Sequence, residues 1–191
     1  MPRPSAREKL IDAALKCFHA RGYQGTSIED IADEAKVFKG SFYNHFKSKE
    51  ALAVIVIERY EHAATANIAL QGPPSAFQRL HNHFEWLASR YEAADYRNGC
   101  LMSNFSAEIY AAGKPLRRAV AEAFDRWFAG MATVVRQAQA EGDIDPRQDP
   151  ALLARFLGNA WEGVTNYSKI VRNRKPLDDF FAVILPTISR K

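Results

Sequence analysis

Hydrophobic residues recur along almost the whole chain with the three-to-four-residue spacing of a single helix face. Leu10, Ile11, Ala14, Leu15, Cys17 and Phe18 share one side of a segment running from Ser5 to Arg21. Ser5 and Glu8 have the spacing of a capping box, and Gly22 suits a left-handed helix end. Thr26 and Glu29 repeat the box ahead of a short helix that turns Ile28, Ile31 and Ala32 inward. After a tight break at Lys36-Val37-Phe38, a third helix is expected from Lys39 to Phe46, and Ser48 caps a fourth that reaches Leu70.

Gln71-Gly72-Pro73-Pro74 is the clearest punctuation in the chain. Beyond it, Phe77, Leu80, Phe84, Leu87 and Tyr91 form the stripe of a fifth helix. Arg97-Asn98-Gly99 reads as a turn, and a short sixth helix runs from Cys100 to Tyr110. Pro115 suits the first turn of a seventh helix ending near Ala140. Asp149-Pro150 opens an eighth, to Val171, and Pro176 opens the last. No segment alternates like a strand, and no repeat of 20–50 residues is present. The expected fold is all-α with nine helices. Residues 1–50 would form a three-helix head, and residues 51–191 a larger helical domain.

Composition narrows the class. The chain has 191 residues, 47% hydrophobic and 25% charged, ordinary for a soluble globular protein and unlike disordered or fibrous chains. The longest apolar run, Ala51 to Ile57, is far below the ~20 residues of a membrane span. The N-terminal residues lack the apolar stretch of a signal peptide. A cytoplasmic protein with no membrane association is therefore expected. Cys17 and Cys100 are too few for a disulfide framework and fit a reducing compartment. His81 and His83, two apart on a helix, point ~200° away from each other, so no metal site is expected, and no cofactor.

Charge points to a partner by its distribution. The net charge is only +4, yet Lys36, Lys39, Lys47 and Lys49 fall in a stretch without a single acid. Glu29, Asp30, Asp33 and Glu34 immediately precede it. Such a segment is either a positive face aimed at a ligand or an unevenly charged solvated surface.

The first 46 residues have the size and helix order of a helix-turn-helix module, whose second helix enters the major groove of DNA. That helix begins Lys39-Gly40-Ser41-Phe42-Tyr43-Asn44-His45. Lysine serves phosphate or guanine, asparagine pairs with adenine, and Ser, Tyr and His donate to phosphates or bases. Gly40 allows close approach of the backbone. Phe42 and Phe46 would hold the helix on Leu15 and Ile31. Tyr43 packing on the first helix and His45 in a helix-end role are the competing assignments.

Three stretches carry a resemblance: Thr26-Ser-Ile-Glu-Asp-Ile-Ala-Asp-Glu-Ala35, Val37-Phe-Lys-Gly-Ser-Phe-Tyr-Asn-His-Phe46 and Ser48-Lys-Glu-Ala-Leu52. Together they resemble the DNA-binding signature of the tetracycline-repressor (TetR) family. The resemblance covers Ser5 to Leu52. It implies a homodimeric transcriptional regulator that binds a pseudo-palindromic operator in double-stranded DNA and answers to a small-molecule effector. By position it implies that Thr26 caps the second helix and touches phosphate. Lys39, Gly40, Ser41, Tyr43, Asn44 and His45 would face the groove, and Lys49 would contact phosphate. Two positions depart from the family pattern: Lys36 stands where glycine is usual, and Phe38 where a small hydroxyl residue is usual.

Asn98-Gly99-Cys100 and the helix after it resemble a subgroup in which a Gly-Cys pair opens the sixth helix, some members of which sense electrophiles or oxidants. Independently, a cysteine in a first helical turn lies in the positive end of the helix dipole, which favours thiolate, and Arg97 is close in sequence. Cys100 is thus either a reactive or ligand-lining thiol, with Lys169 as a neighbour, or a small buried hydrophobe. An effector pocket needs mostly apolar walls. The candidates are Phe84, Tyr91, Cys100, Phe105, Trp127, Met131, Trp161 and Tyr167, with Glu162-Gly163 interrupting the helix beside Trp161. Broad apolar stripes on the last two helices place Phe156, Leu157, Ala160, Val164, Phe180, Phe181 and Ile184 at a four-helix dimer interface. An enzyme using Cys100 as nucleophile would need a nearby base, and no histidine lies close in sequence. A helical adaptor without DNA binding is the other rival.

Overall fold

The computed structural model describes residues 5–68 and 73–190. They pack as two compact units. One comprises the described residues up to Tyr60 together with Leu101–Ala123, and the other Glu61–Cys100 together with the chain from Phe124 onward.

The first unit contains α1 (Ala6–Arg21), α2 (Ile28–Ala35), α3 (Lys39–Tyr43), the start of α4 (Lys49–Ile68), α6 (Leu101–Ala107) and the first part of α7 (Lys114–Ala140). Leu10, Phe18, Ile31, Phe42, Leu52, Ile57 and Phe105 are fully buried. Phe18 meets Phe105 edge-on at 5.3 Å, and Tyr23 lies 5.7 Å from Phe105. The sixth helix therefore shares the core of the head, which the linear division at residue 50 did not anticipate.

Helix ends show where local rules held. Ser5 accepts the Glu8 N–H at 3.2 Å, but the Glu8 carboxylate turns to Arg59 at 2.9 Å, so only half of the first box forms. Gly22 adopts φ 72°, and its N–H donates to the Phe18 carbonyl. At α2 the box is formed by Ser27 and Asp30, not by Thr26 and Glu29. Thr26 is buried, and its hydroxyl donates to the carbonyls of Cys17 and Gly22 at 3.1 and 2.7 Å. The hydroxyl one residue nearer the helix does the capping because Thr26 is occupied inside. The third helix is shorter than expected: after Tyr43 the chain tightens into a turn, although the Phe46 N–H still reaches the Phe42 carbonyl at 2.9 Å.

The second unit contains the remainder of α4 and α7, α5 (Ala76–Ala93), α8 (Pro150–Val171) and α9 (Lys175–Asp179). Its core is aromatic and aliphatic, with Leu80, Phe84, Trp127, Met131, Leu157, Trp161 and Leu177 buried. Asp149 caps α8 by accepting from Ala151 and Leu152. The expected end of the fourth helix at Leu70 and the Gln71-Gly72 part of the break lie outside the described residues. The sixth helix ends at Ala107 and gives way to a 3-10 turn, Ile109–Ala111. The last helix is also less regular than its stripe suggested. It passes into a π turn, Phe180–Ile184, and a 3-10 turn, Pro186–Ile188. The wider turn lets adjacent rings pack differently, Phe180 on Phe84 at 4.6 Å and Phe181 on His81 at 5.0 Å.

Among the described residues the only pairing of extended backbone is an isolated bridge, Ile144 with Ser189. No helix among them is long and apolar enough to cross a membrane.

Candidate functional site

The sorting of side chains around α3 follows from two aromatic anchors. Phe42 and Phe46 are buried, 5.6 Å apart. With that face committed to the core, Lys39, Gly40, Tyr43, Asn44 and His45 are exposed and Ser41 is half-buried. Tyr43 touches Phe42 edge-on at 5.4 Å but remains 58% exposed, so it is a surface side chain and not packing for α1. Lys39 pairs loosely with Glu29 at 3.3 Å, both half or more exposed. An exposed pair of that kind is worth little and leaves the ammonium available.

Lys36 takes φ 55°, the left-handed conformation that ends α2. That conformation costs a non-glycine residue ~1–2 kcal/mol. The turn keeps its geometry at that cost and presents an exposed lysine. Phe38, next in the break, offers no cap to α3 and stands 84% exposed.

The two expected phosphate contacts outside α3 are placed differently. Thr26 faces inward, as described above. Lys49 is half-buried, and its ammonium donates to the carbonyls of Tyr23 and Thr26, each at 2.8 Å. It also lies 4.4 Å from the centre of the Tyr23 ring. Burial pushes its pKa down. Lys49 thus ties the start of α4 to the α1–α2 connection. Glu108, just past α6, completes this junction by accepting the N–H groups of Tyr23 and Gln24 at 3.2 and 2.7 Å. No sequence signal marked Glu108, because its partners are backbone groups more than 80 positions away.

In the second unit the expected effector residues divide. Phe84, Tyr91 and Trp161 come together: Trp161 lies 5.0 Å from Phe84 and 6.2 Å from Tyr91, with Phe180 at 5.0 Å. All four are buried. The Trp161 indole N–H has no hydrogen-bond partner among the described residues. Trp127 and Met131 are buried on α7, and the Trp127 N–H donates to His83 Nε2 at 3.0 Å. His83 Nδ1 lies 2.8 Å from Asn67 Oδ1. Burial holds the His83 pKa down at about 3, so the ring is neutral. Phe105 belongs to the first unit and packs on Phe18, and Tyr167 is 57% exposed, so neither joins this cluster.

The helix beside Trp161 is not interrupted at Glu162-Gly163, since α8 runs unbroken to Val171. The glycine at a close approach is Gly158, where a Cβ would collide with the Phe128 ring. A groove of about 580 Å³ lies in the first unit between Val54 and Glu58 on α4 and Lys114, Arg118 and Glu122 on α7. None of the expected effector residues lines it.

Cys100 is a buried cysteine immediately before α6. Lys169 is half-buried on α8. Arg97 is turned to Asp95 at 3.1 Å. Cys17 is buried too, and burial raises its pKa, as suits a packing thiol.

Of the residues expected at a dimer interface, Leu157 and Phe180 are fully buried within the chain itself. Ala160, Val164, Phe181 and Ile184 are partly exposed, and Phe156 is 49% exposed. Leu152, Tyr167 and Ile170 extend the exposed row along α8, with Val183 nearby in sequence to Ile184. The sequence stripe had mixed the inward and outward edges of the same helix.

Residues 10–54 match the family model described as bacterial regulatory proteins of the tetR family. Residues 76–184 match the tetracyclin repressor-like C-terminal domain. The chain is 35% identical to the HTH-type transcriptional repressor DhaR of Mycobacterium sp. (strain GP1), over 98% of this chain and 94% of that protein. It is 30% identical to the transcriptional regulator AcuR of Cereibacter sphaeroides, over 92% and 81%. Among solved structures, a TetR regulatory protein from Rhodobacter sphaeroides superposes with TM-score 0.90 at 27% identity, covering 96% and 98% of the two chains. The reduced form of Escherichia coli NemR superposes with TM-score 0.87 at 25% identity, covering 98% of each. With both family models matched and the helix-turn-helix face in place, this chain belongs to the TetR family of bacterial regulatory proteins.

Proposed function

We propose that this protein is a one-component transcriptional repressor. Residues 1–50 act as the DNA-binding domain, and residues 51–191 as the sensing and dimerisation domain. The observation that carries the reading is the division of α3 and the turn after it: the apolar anchors Phe42 and Phe46 are buried while Lys39, Gly40, Tyr43, Asn44 and His45 are presented to solvent. A homodimer sets two such helices into successive major grooves of a pseudo-palindromic operator, with half-sites one helical turn, about 34 Å, or a multiple apart. Lys39 and Asn44 read base edges, and Tyr43, His45 and Ser41 fix the register on phosphates.

Release follows from differential affinity. An effector that binds better to a state with the heads wrongly spaced draws the dimer into that state. The effector lies among Phe84, Tyr91, Trp127, Met131 and Trp161, where the unsatisfied Trp161 N–H offers an acceptor group its hydrogen bond. A buried donor without a partner costs about 1–3 kcal/mol, which such a ligand recovers. Modification of Cys100 is the covalent route to the same shift. The names of DhaR and NemR as repressors support repression over activation.

The test is a footprint of the reduced, purified protein on the DNA upstream of its own gene. A two-fold symmetric protected stretch, weakening steeply with salt, is the expected result. Absence of protection at low salt on this and neighbouring promoters overturns the reading.

A further inference from the structure

The apolar ring most out of place in the head is Phe38. It is 84% exposed and enters no ring or cation contact among the described residues. It precedes α3, where a serine or threonine would satisfy an open N–H, and it offers no such bond. The ring lies over Gly40: a Cβ built there would stand 2.8 Å from Phe38 Cε1. Gly40 thus makes room for the ring on the exposed side of α3. Lys36 and Lys39, on either side of Phe38 in the chain, are exposed as well. A lone surface phenylalanine needs no explanation in general. This one is set in the basic segment that leads into the groove-reading helix, and it displaces a cap.

In the major groove each base pair shows donors and acceptors, and one apolar group, the C5-methyl of thymine. We infer that Phe38 is a specificity-determining residue that reads the C5-methyl group of one thymine in each operator half-site. This deepens the proposed DNA-binding function and rests on it. The flanking lysines neutralise phosphates and carry no sequence information, so the discrimination falls to the ring. Gly40 is the positioning residue, because any side chain there moves the ring.

The experiment uses the full-length dimer and the operator found by footprinting. Each thymine is replaced singly by deoxyuridine, which removes the methyl group and leaves every hydrogen-bonding atom in place. Dissociation constants are measured at one fixed salt concentration for the wild type and for Phe38→Ser, a variant that restores a capping side chain and so keeps α3 folded. At one thymine per half-site, methyl removal should weaken wild-type binding about fourfold, the worth of one buried methyl group. Phe38→Ser should bind the thymine and uracil operators equally. The inference is overturned if no thymine is methyl-sensitive in the wild type, or if the same thymine stays methyl-sensitive in Phe38→Ser. Failure of the wild type to bind any operator is a different result: it removes the DNA-binding function itself, and this inference with it.

Discussion

Lys49 holds Tyr23 in two ways at once: its ammonium donates to the Tyr23 carbonyl at 2.8 Å and stands 4.4 Å from the centre of the Tyr23 ring. A lysine that aligns with a phosphate contact is here a structural clasp. Replacing it with alanine removes two charged hydrogen bonds to main-chain carbonyls. Lys49→Ala should lower stability by about 2 kcal/mol and the melting temperature by about 4–8 °C. A true phosphate contact would also contribute about one unit to the slope of log affinity against log salt. The clasp assignment expects that slope to stay unchanged, and a drop of one unit would restore the phosphate role.

Lys39 at the start of α3 and Asn44 just past its end are both exposed, and neither is needed to bury Phe42 or Phe46. Lys39→Ala and Asn44→Ala should each weaken operator binding by roughly 5- to 150-fold, the worth of a base-reading contact of ~1–3 kcal/mol. The dimer should persist in both, as sedimentation would record. Unchanged affinity in both variants by fluorescence anisotropy would remove α3 from the groove.

His83 makes stability depend on pH. Its folded pKa, about 3, lies below the ordinary 6.5 because the ring is buried. Between those values the unfolded chain takes up a proton that the folded chain refuses, so stability falls as pH drops below 6.5. At pH 5 the loss attributable to this residue is about 2 kcal/mol. His83→Leu should be less stable at pH 7, because Trp127 loses its acceptor, yet should lose less between pH 7 and 5 than the wild type. Parallel denaturant midpoints across that range would contradict the assignment.

Cys100 is buried, so a reactive probe must enter the core to reach it. Cys100→Ser should bind the operator normally and stay bound after treatment with N-ethylmaleimide, while the wild type should dissociate. A variant that still dissociates shows that Cys100 is packing and that the response lies elsewhere.

Phe156 and Leu152 project from α8 at 49% and 58% exposure. Phe156→Glu should convert the dimer to monomer in sedimentation with little change in the far-ultraviolet helical signal. Persistence of the dimer would move the interface off this face.

The helices and their order were legible in the sequence because helix formation is governed by local periodicity and punctuation. Ser5, Gly22, Asp149 and Pro150 act within a turn of their own positions. The helix-turn-helix signature was legible for a related reason: α1 to α3 are short, contiguous in sequence and packed on one another, so most of their partners lie within 40 residues. The four-residue spacing of Phe42 and Phe46 also indicated that both would turn inward, and the family resemblance implied that Lys39 and Asn44 would face outward, while Tyr43 was open until the fold left it exposed. What the tertiary structure alone decided were the competitions between equally suitable groups. Thr26 and Ser27 both carry a hydroxyl, and burial of Thr26 against the Cys17 and Gly22 carbonyls left the cap to Ser27. Lys49 and Lys39 are both lysines in one basic run, and only the fold turned one to Tyr23 and left the other at the surface. Phe105 and Phe84 read alike as apolar residues of the larger domain, but long-range packing sent one to Phe18 and the other to Trp161. Periodicity reports that a face is apolar. It carries no information on which of several apolar neighbours will cover it, and that choice is made by contacts distant in sequence.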